Sequence, residues 1–104
     1  MNILISTLKE ELATAKRLEK KYLKQLGDLP HGSFILRTVR KKKYGYLTFR
    51  EGEKVKQTYL GALDEQRVEE YRIAMKEKRK LKEKLKNVRS QQRILERGLR
   101  GKTK

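Results

Sequence analysis

Between Gly32 and Gly61 the chain reads GSFILRTVRKKKYGYLTFREGEKVKQTYLG, and this stretch holds the residue types with the most chemistry to offer. Eight cations (Arg37, Arg40, Lys41, Lys42, Lys43, Arg50, Lys54 and Lys56) are interleaved with Tyr44, Tyr46 and Tyr59. Such a mixture suits a phosphate backbone with bases or sugars beside it. The cations displace counterions from phosphates, and the rings offer flat faces for stacking. Catalysis has far less material. The one histidine, His31, sits in a Pro-His-Gly connector, and the carboxylates Glu69, Glu70, Glu77 and Glu83 stand among lysines and arginines at helical spacing, where they serve as solvated partners. No phosphate-cradling glycine loop, nucleophile elbow or metal-spaced acidic cluster is present. No enzyme activity, catalytic residue, metal or cofactor is expected.

Composition agrees with a polyanionic partner. The chain has 104 residues, 36% hydrophobic and 40% charged, and its 29 basic and 13 acidic residues leave a net charge of +16. That charge repels itself within a compact fold and attracts polyanions from a distance. It is uneven: residues 1–33 carry +2, residues 34–63 carry +6 and residues 64–104 carry +8. Without cysteine, disulfides, thiol nucleophiles and zinc–thiolate sites are excluded. The apolar runs are too short to span a bilayer, and Met1-Asn2-Ile3-Leu4-Ile5 lacks the basic start of a signal peptide, so a cytoplasmic protein is expected.

The elements that must position these residues form one expected domain, 1–104. A helix is predicted over 6–26, with Thr7 and Glu10 as a capping box and an apolar stripe of Leu8, Leu12, Ala15, Leu18, Tyr22 and Leu26. Three antiparallel strands are predicted over 34–60: Phe34–Arg40, a basic turn Lys41–Lys43, Tyr44–Arg50, a loop Glu51-Gly52-Glu53, and Lys54–Leu60, which Gly61 ends. In the second strand Leu47 and Phe49 share one face, while Tyr46, Thr48 and Arg50 share the other. A second helix is predicted over 64–97 with Asp64 as N-cap, followed by a flexible basic tail, 98–104. Its inner line, Tyr71, Ala74, Lys78, Leu81, Leu85, Val88, Gln92, Leu95 and Leu99, alternates steps of three and four, the mark of a narrow coiled-coil seam. The fold class is therefore α+β: a helix, a three-stranded meander and a longer helix, the two helices paired as a coiled-coil-like hairpin. The longer helix outruns the first, so Leu95 and Leu99 call for a partner, which the same helix of another copy would supply.

Two surfaces follow as candidate nucleic-acid contacts. One is the sheet, with Arg37, Arg40, Lys41, Lys42, Lys43, Tyr44, Tyr46, Arg50, Lys54 and Lys56. Strand alternation would bring Tyr46 and Arg50 out beside neighbours such as Lys56 or Tyr59. The other is a basic flank of the second helix, Arg79, Lys82, Lys86, Arg89 and Arg93. Bland readings stand beside both: a solubilising turn, a solvated helix flank, and tyrosines braced against the helices. Tyr22 and Tyr71, on the seams, are read as packing residues.

The run Gly32-Ser33, Arg37-Thr38-Val39, Tyr44-Gly45-Tyr46-Leu47, Arg50–Lys56 and Tyr59-Leu60-Gly61, followed by a long Lys/Glu helix, resembles a family of small basic proteins of bacteria, phages and plasmids. The resemblance covers about residues 29–90 and implies a helix–sheet–helix architecture in a mobile-element setting. A weaker similarity is to the three-stranded arm-binding domain of phage integrases, from which this chain departs by its added first helix and longer second one. The setting brings in inhibitors of bacterial defence, such as anti-CRISPR proteins. The expectation from the sequence is a non-enzymatic binder of nucleic acid or a nucleoprotein. RNA is favoured because nothing reads like a dedicated base-reading helix. The alternatives are an anti-CRISPR-like inhibitor of a nucleic-acid-guided nuclease and a coiled-coil assembly protein.

Overall fold

The computed structural model describes residues 3–102, in the order α1 (Ile3–Gly27), β1 (Ser33–Val39), β2 (Lys42–Glu51), β3 (Lys54–Ala62) and α2 (Glu65–Lys102). The expected α+β arrangement of helix, antiparallel meander and long helix is what forms. Met1 and Asn2, and Thr103 and Lys104 of the expected tail, lie outside the described residues. The chain divides into two compact units. One is helical, taking residues up to Leu26 and those from Lys80 onward; the other is the sheet unit, Gly27–Arg79.

In the helical unit α1 begins at Ile3, ahead of the expected start. Thr7 is therefore inside the helix, and its hydroxyl donates to the Ile3 carbonyl at 3.0 Å, so the capping box with Glu10 does not form. Thr14 repeats the arrangement, donating to the Glu10 carbonyl at 3.1 Å. A threonine within a helix satisfies its hydroxyl on the preceding turn in this way. The expected apolar stripe turns inward, with Ala15 buried and Ile5 lengthening it by a turn.

The contacts with α2 run in opposite chain directions. Leu8 lies over Gly98, the Ala15 carbonyl accepts from Gln92 Nε2 at 3.4 Å, and Glu19 pairs with Arg89 at 2.9 Å. Lys84 stands 5.9 Å from the Tyr22 ring. The two segments thus form an antiparallel pair, with Leu81, Leu85, Val88 and Leu95 buried. Two expectations change. Gly98 does not end α2, which continues through it to Lys102 although glycine costs about 1 kcal/mol within a helix; it lies under Leu8, where a Cβ would make ordinary contact. Leu95, expected to await another copy, is 6% exposed within this chain.

The sheet unit is a meander of order β1-β2-β3. Residues Arg40 and Lys41 alone form the first turn, at φ 50 and 69, so Lys42 and Lys43 join β2 instead of the turn. Two consecutive positive φ values are the type I′ pattern, which favours Asn-Gly because each non-glycine residue in that region costs about 1–2 kcal/mol. Gly52 and Glu53 close the second hairpin. Gly61 does not end β3. It pairs with Gly45 at φ 89 beside a bulge that leaves Leu60 without a cross-strand partner, and the strand runs on to Ala62.

One face of this sheet packs on α2. Phe34 and Tyr71 stack with ring centroids 5.1 Å apart and planes within 9°. Gly45 makes room for this packing, since a Cβ there would force Leu63 Cδ1 to shift and would come 3.1 Å from Phe34. The Leu63 amide donates to the Lys43 carbonyl at 2.8 Å, and Asp64 caps α2 by accepting from the Arg67 amide at 2.8 Å. Lys78, the polar member of the seam, donates to the Pro30 and Gly32 carbonyls at 3.1 and 2.9 Å, fixing the entry to β1.

Replacing Arg40-Lys41 by Asn-Gly is expected to raise stability by about 1–2 kcal/mol, read as a higher thermal midpoint, because it removes the left-handed strain. A second expectation concerns acid. The hydrogen bond from Arg89, and then that from Gln92, hold the Glu19 carboxyl below its ordinary 4.5. Its share of stability is present above the unfolded pKa and is lost as pH falls through the folded one. Glu19→Gln should therefore lose less stability than wild type between about pH 6 and about pH 3, read from urea melts at both.

Candidate nucleic-acid interface

Strand register decides which side chains meet. Directly opposed residues share a face, and the pairs Ile35–Tyr46, Arg37–Tyr44 and Val39–Lys42 place β1 and β2 residues on the side away from Phe34 and Leu47. Across β2 and β3 the pairs Tyr46–Tyr59, Thr48–Gln57 and Arg50–Val55 continue that outer face. None of its strand residues is acidic.

A row of cation and rings occupies it. The Arg37 guanidinium carbon lies 5.3 Å from the centre of the Tyr46 ring. Tyr46 and Tyr59 are 5.3 Å apart and tilted by 44°, and Tyr59 and Tyr44 are 6.5 Å apart at 27°. The hydroxyl of Thr48 accepts from Gln57 Nε2 at 3.4 Å. Tyr44 and Tyr46 are half-buried, whereas Tyr59 is 59% exposed and Val55 62%. Tyr46, expected to face away from the core, does so, and Tyr44 joins it. Each lies against Tyr59, and Tyr46 also against Arg37.

The remaining candidates are spread more widely than the sequence implied. Arg37, Lys42 and Arg50 flank the rings, and Arg40 and Lys41 form the exposed tip. Lys43 is half-buried and opposes Thr38 on the other face. Lys54 and Lys56 also fall on that other face, opposite Glu51 and Phe49, and Lys56 is ion-paired with Glu51 at 2.8 Å. The expectation of Lys56 beside Tyr46 is corrected: in the register Lys56 has the wrong parity, and Tyr59 is the neighbour. Arg79, in the sheet unit, lines an open cavity of about 490 Å³ whose apolar walls include Phe34, Leu36, Ile73 and Met75. Lys82, Lys86, Arg89 and Arg93 are exposed on α2 in the helical unit. There Arg89 is tied to Glu19, and Arg93 donates to the Ser90 hydroxyl at 3.2 Å.

Thr48 and Gln57 were not among the sequence candidates, and Tyr59, named with the other tyrosines of the segment, was not carried into the candidate contacts. Their shared parity is readable in the strands, but their juxtaposition is set by the two-residue Gly52-Glu53 turn. Tyr71 and Tyr22 pack as expected, on Phe34 and under Lys84. His31 stands 4.9 Å from the Phe49 ring, tilted by 52°. Among the described residues no group of three His, Cys, Asp or Glu side chains is placed to hold a metal ion, and no helix is long and apolar enough to cross a membrane. No family model, curated protein or solved structure matches this chain.

The two kinds of tyrosine should separate in stability. Tyr71→Ala removes a stacked ring from the packed face and should cost about 2–3 kcal/mol, whereas Tyr46→Ala, on the outer face, should cost about 1 kcal/mol. Denaturant unfolding of the two variants checks the order.

Proposed function

We propose that this protein is a non-enzymatic, cytoplasmic nucleic-acid-binding module that engages RNA, free or within a ribonucleoprotein, through the outer face of its sheet. The observation that carries the reading is the Arg37–Tyr46–Tyr59–Tyr44 row on a face whose strand residues include no carboxylate. Cations at Arg37, Arg40, Lys41, Lys42 and Arg50 would neutralise phosphates and release their counterions, while the rings supply flat faces on which bases stack. The strained turn supports the same reading. It keeps two cations at the tip where an uncharged Asn-Gly would be less strained, and strain retained in a fold points to use. The exposed Lys82 and Lys86 of the helical unit add to the positive field that draws a polyanion in.

Changing Arg40, Lys41 and Lys42 together to glutamine tests it. Binding of labelled RNA, followed by fluorescence anisotropy against salt, should weaken. The log–log salt slope should flatten by up to about 0.7 for each single-strand phosphate that is no longer neutralised. Unchanged affinity and slope would move the binding surface away from this tip. Failure of the wild-type protein to bind any nucleic acid on its own would overturn the proposed function.

A further inference from the structure

We propose that Tyr59 is a stacking station for an unpaired base of single-stranded RNA, with Arg37 as the cation that meets the adjoining phosphate; this rests on the sheet-face reading above. The three rings are not equivalent. Tyr46 is flanked by Arg37 at 5.3 Å and by Tyr59 at 5.3 Å, and both it and Tyr44 are half-buried. Tyr59 touches both rings and is still 59% exposed, and it stands on β3, an edge strand with no further strand beyond it. Its neighbours hold the ring in place, so little side-chain freedom is lost when a base lands on it.

A duplex keeps its bases stacked on one another, so only an unpaired base can use such a ring. The guanidinium carbon of Arg37 lies 5.3 Å from the centre of the Tyr46 ring, and a guanidinium carries five N–H donors, enough to meet a phosphate beside that ring. The choice of RNA rests on Thr48 and Gln57. They sit on the same face, Gln57 two residues before Tyr59, in an exposed hydrogen bond of 3.4 Å. A hydroxyl and an amide together offer both donor and acceptor to a ribose 2′-OH, the group that separates RNA from DNA.

The test is fluorescence anisotropy with a labelled unstructured RNA oligonucleotide, the same sequence as single-stranded DNA, and the RNA as a duplex. Wild type is compared with Tyr59→Phe, Tyr59→Leu and Tyr59→Ala. Loss of the ring in the Leu and Ala variants should weaken single-strand RNA binding about 5- to 150-fold with the salt slope unchanged, and Phe should stay within about twofold of wild type. The duplex and the DNA strand should bind more weakly than the RNA strand. Leu is included because it keeps apolar bulk on the strand, and thermal melting confirms that each variant is folded. Wild-type affinity in the Leu variant, or equal affinity for the duplex, overturns the stacking station; equal affinity for the DNA strand overturns the assignment to RNA. If the Tyr59 variants bind normally while the Arg40, Lys41, Lys42 variant shows a flattened slope, stacking falls and the nucleic-acid reading stands. If wild type binds none of the three probes, both fall.

Discussion

A three-stranded sheet of this size is marginal in water without a packed face, and within its own unit this one has a helix against one face. The first turns of α2 take the inner face: Tyr71 lies flat on Phe34, Leu63 fills the space left by Gly45, and Val68 is buried. Nothing within the sheet unit is left to cover the other side. Its aromatic residues pack on one another, with Arg37 against Tyr46, and Tyr59 and Val55 stay in water. The bare aromatic face is thus a direct consequence of the sheet unit having one helix segment for two sheet faces. An apolar surface left open among cations is a costly arrangement unless something binds there.

That division holds only if the register holds. A slip of one residue would carry Tyr44 and Tyr46 to the helix and Leu47 to water. Several contacts oppose it. Lys78 binds the Pro30 and Gly32 carbonyls just ahead of β1, the Leu63 amide ties the end of β3 to Lys43, and the Leu60 bulge with Gly61 sets β3 against Tyr46. A lysine on an otherwise apolar seam is costly unless its ammonium is hydrogen-bonded, and these carbonyls supply the bonds. Gln92 is accommodated in the helical unit in the same way, on the Ala15 carbonyl, where the small side chain lets it approach.

The charge of the chain is organised by the same geometry. Exposed ion pairs such as Lys56–Glu51 and Arg67–Glu70 contribute little to stability. Their effect is on distribution: Glu51 sits on the face opposite the rings and pairs there with Lys56. The strand residues of the outer face include no carboxylate, whereas beside the tip Asp64 and Glu65 line an open cavity together with Lys41, Lys42 and Lys43. The left-handed conformation at Arg40 and Lys41 adds charge to the tip at the expense of turn stability.

Much of this fold was legible in the sequence. The heptad from Tyr71 to Leu99 names nine residues, and every one is buried or half-buried, because a repeating apolar line can be shielded on only one side of a helix. Asp64 as cap, and the parity that separates Tyr46 from Leu47, follow from local geometry in the same way. Element ends were less legible. Thr7 and Gly98 carry strong local signals for a start and a stop, yet Thr7 bonds back to Ile3 and Gly98 lies against Leu8. Local preferences of about 1 kcal/mol yield to packing between residues distant in the chain. The candidate site divides likewise. Composition alone assigned cations and tyrosines to one segment. Which of them share a face was decided by a two-residue turn at Arg40-Lys41 and another at Gly52-Glu53. Each changes the parity of everything beyond it, and parity is set by hydrogen-bond pairing between strands, which no single stretch of sequence contains.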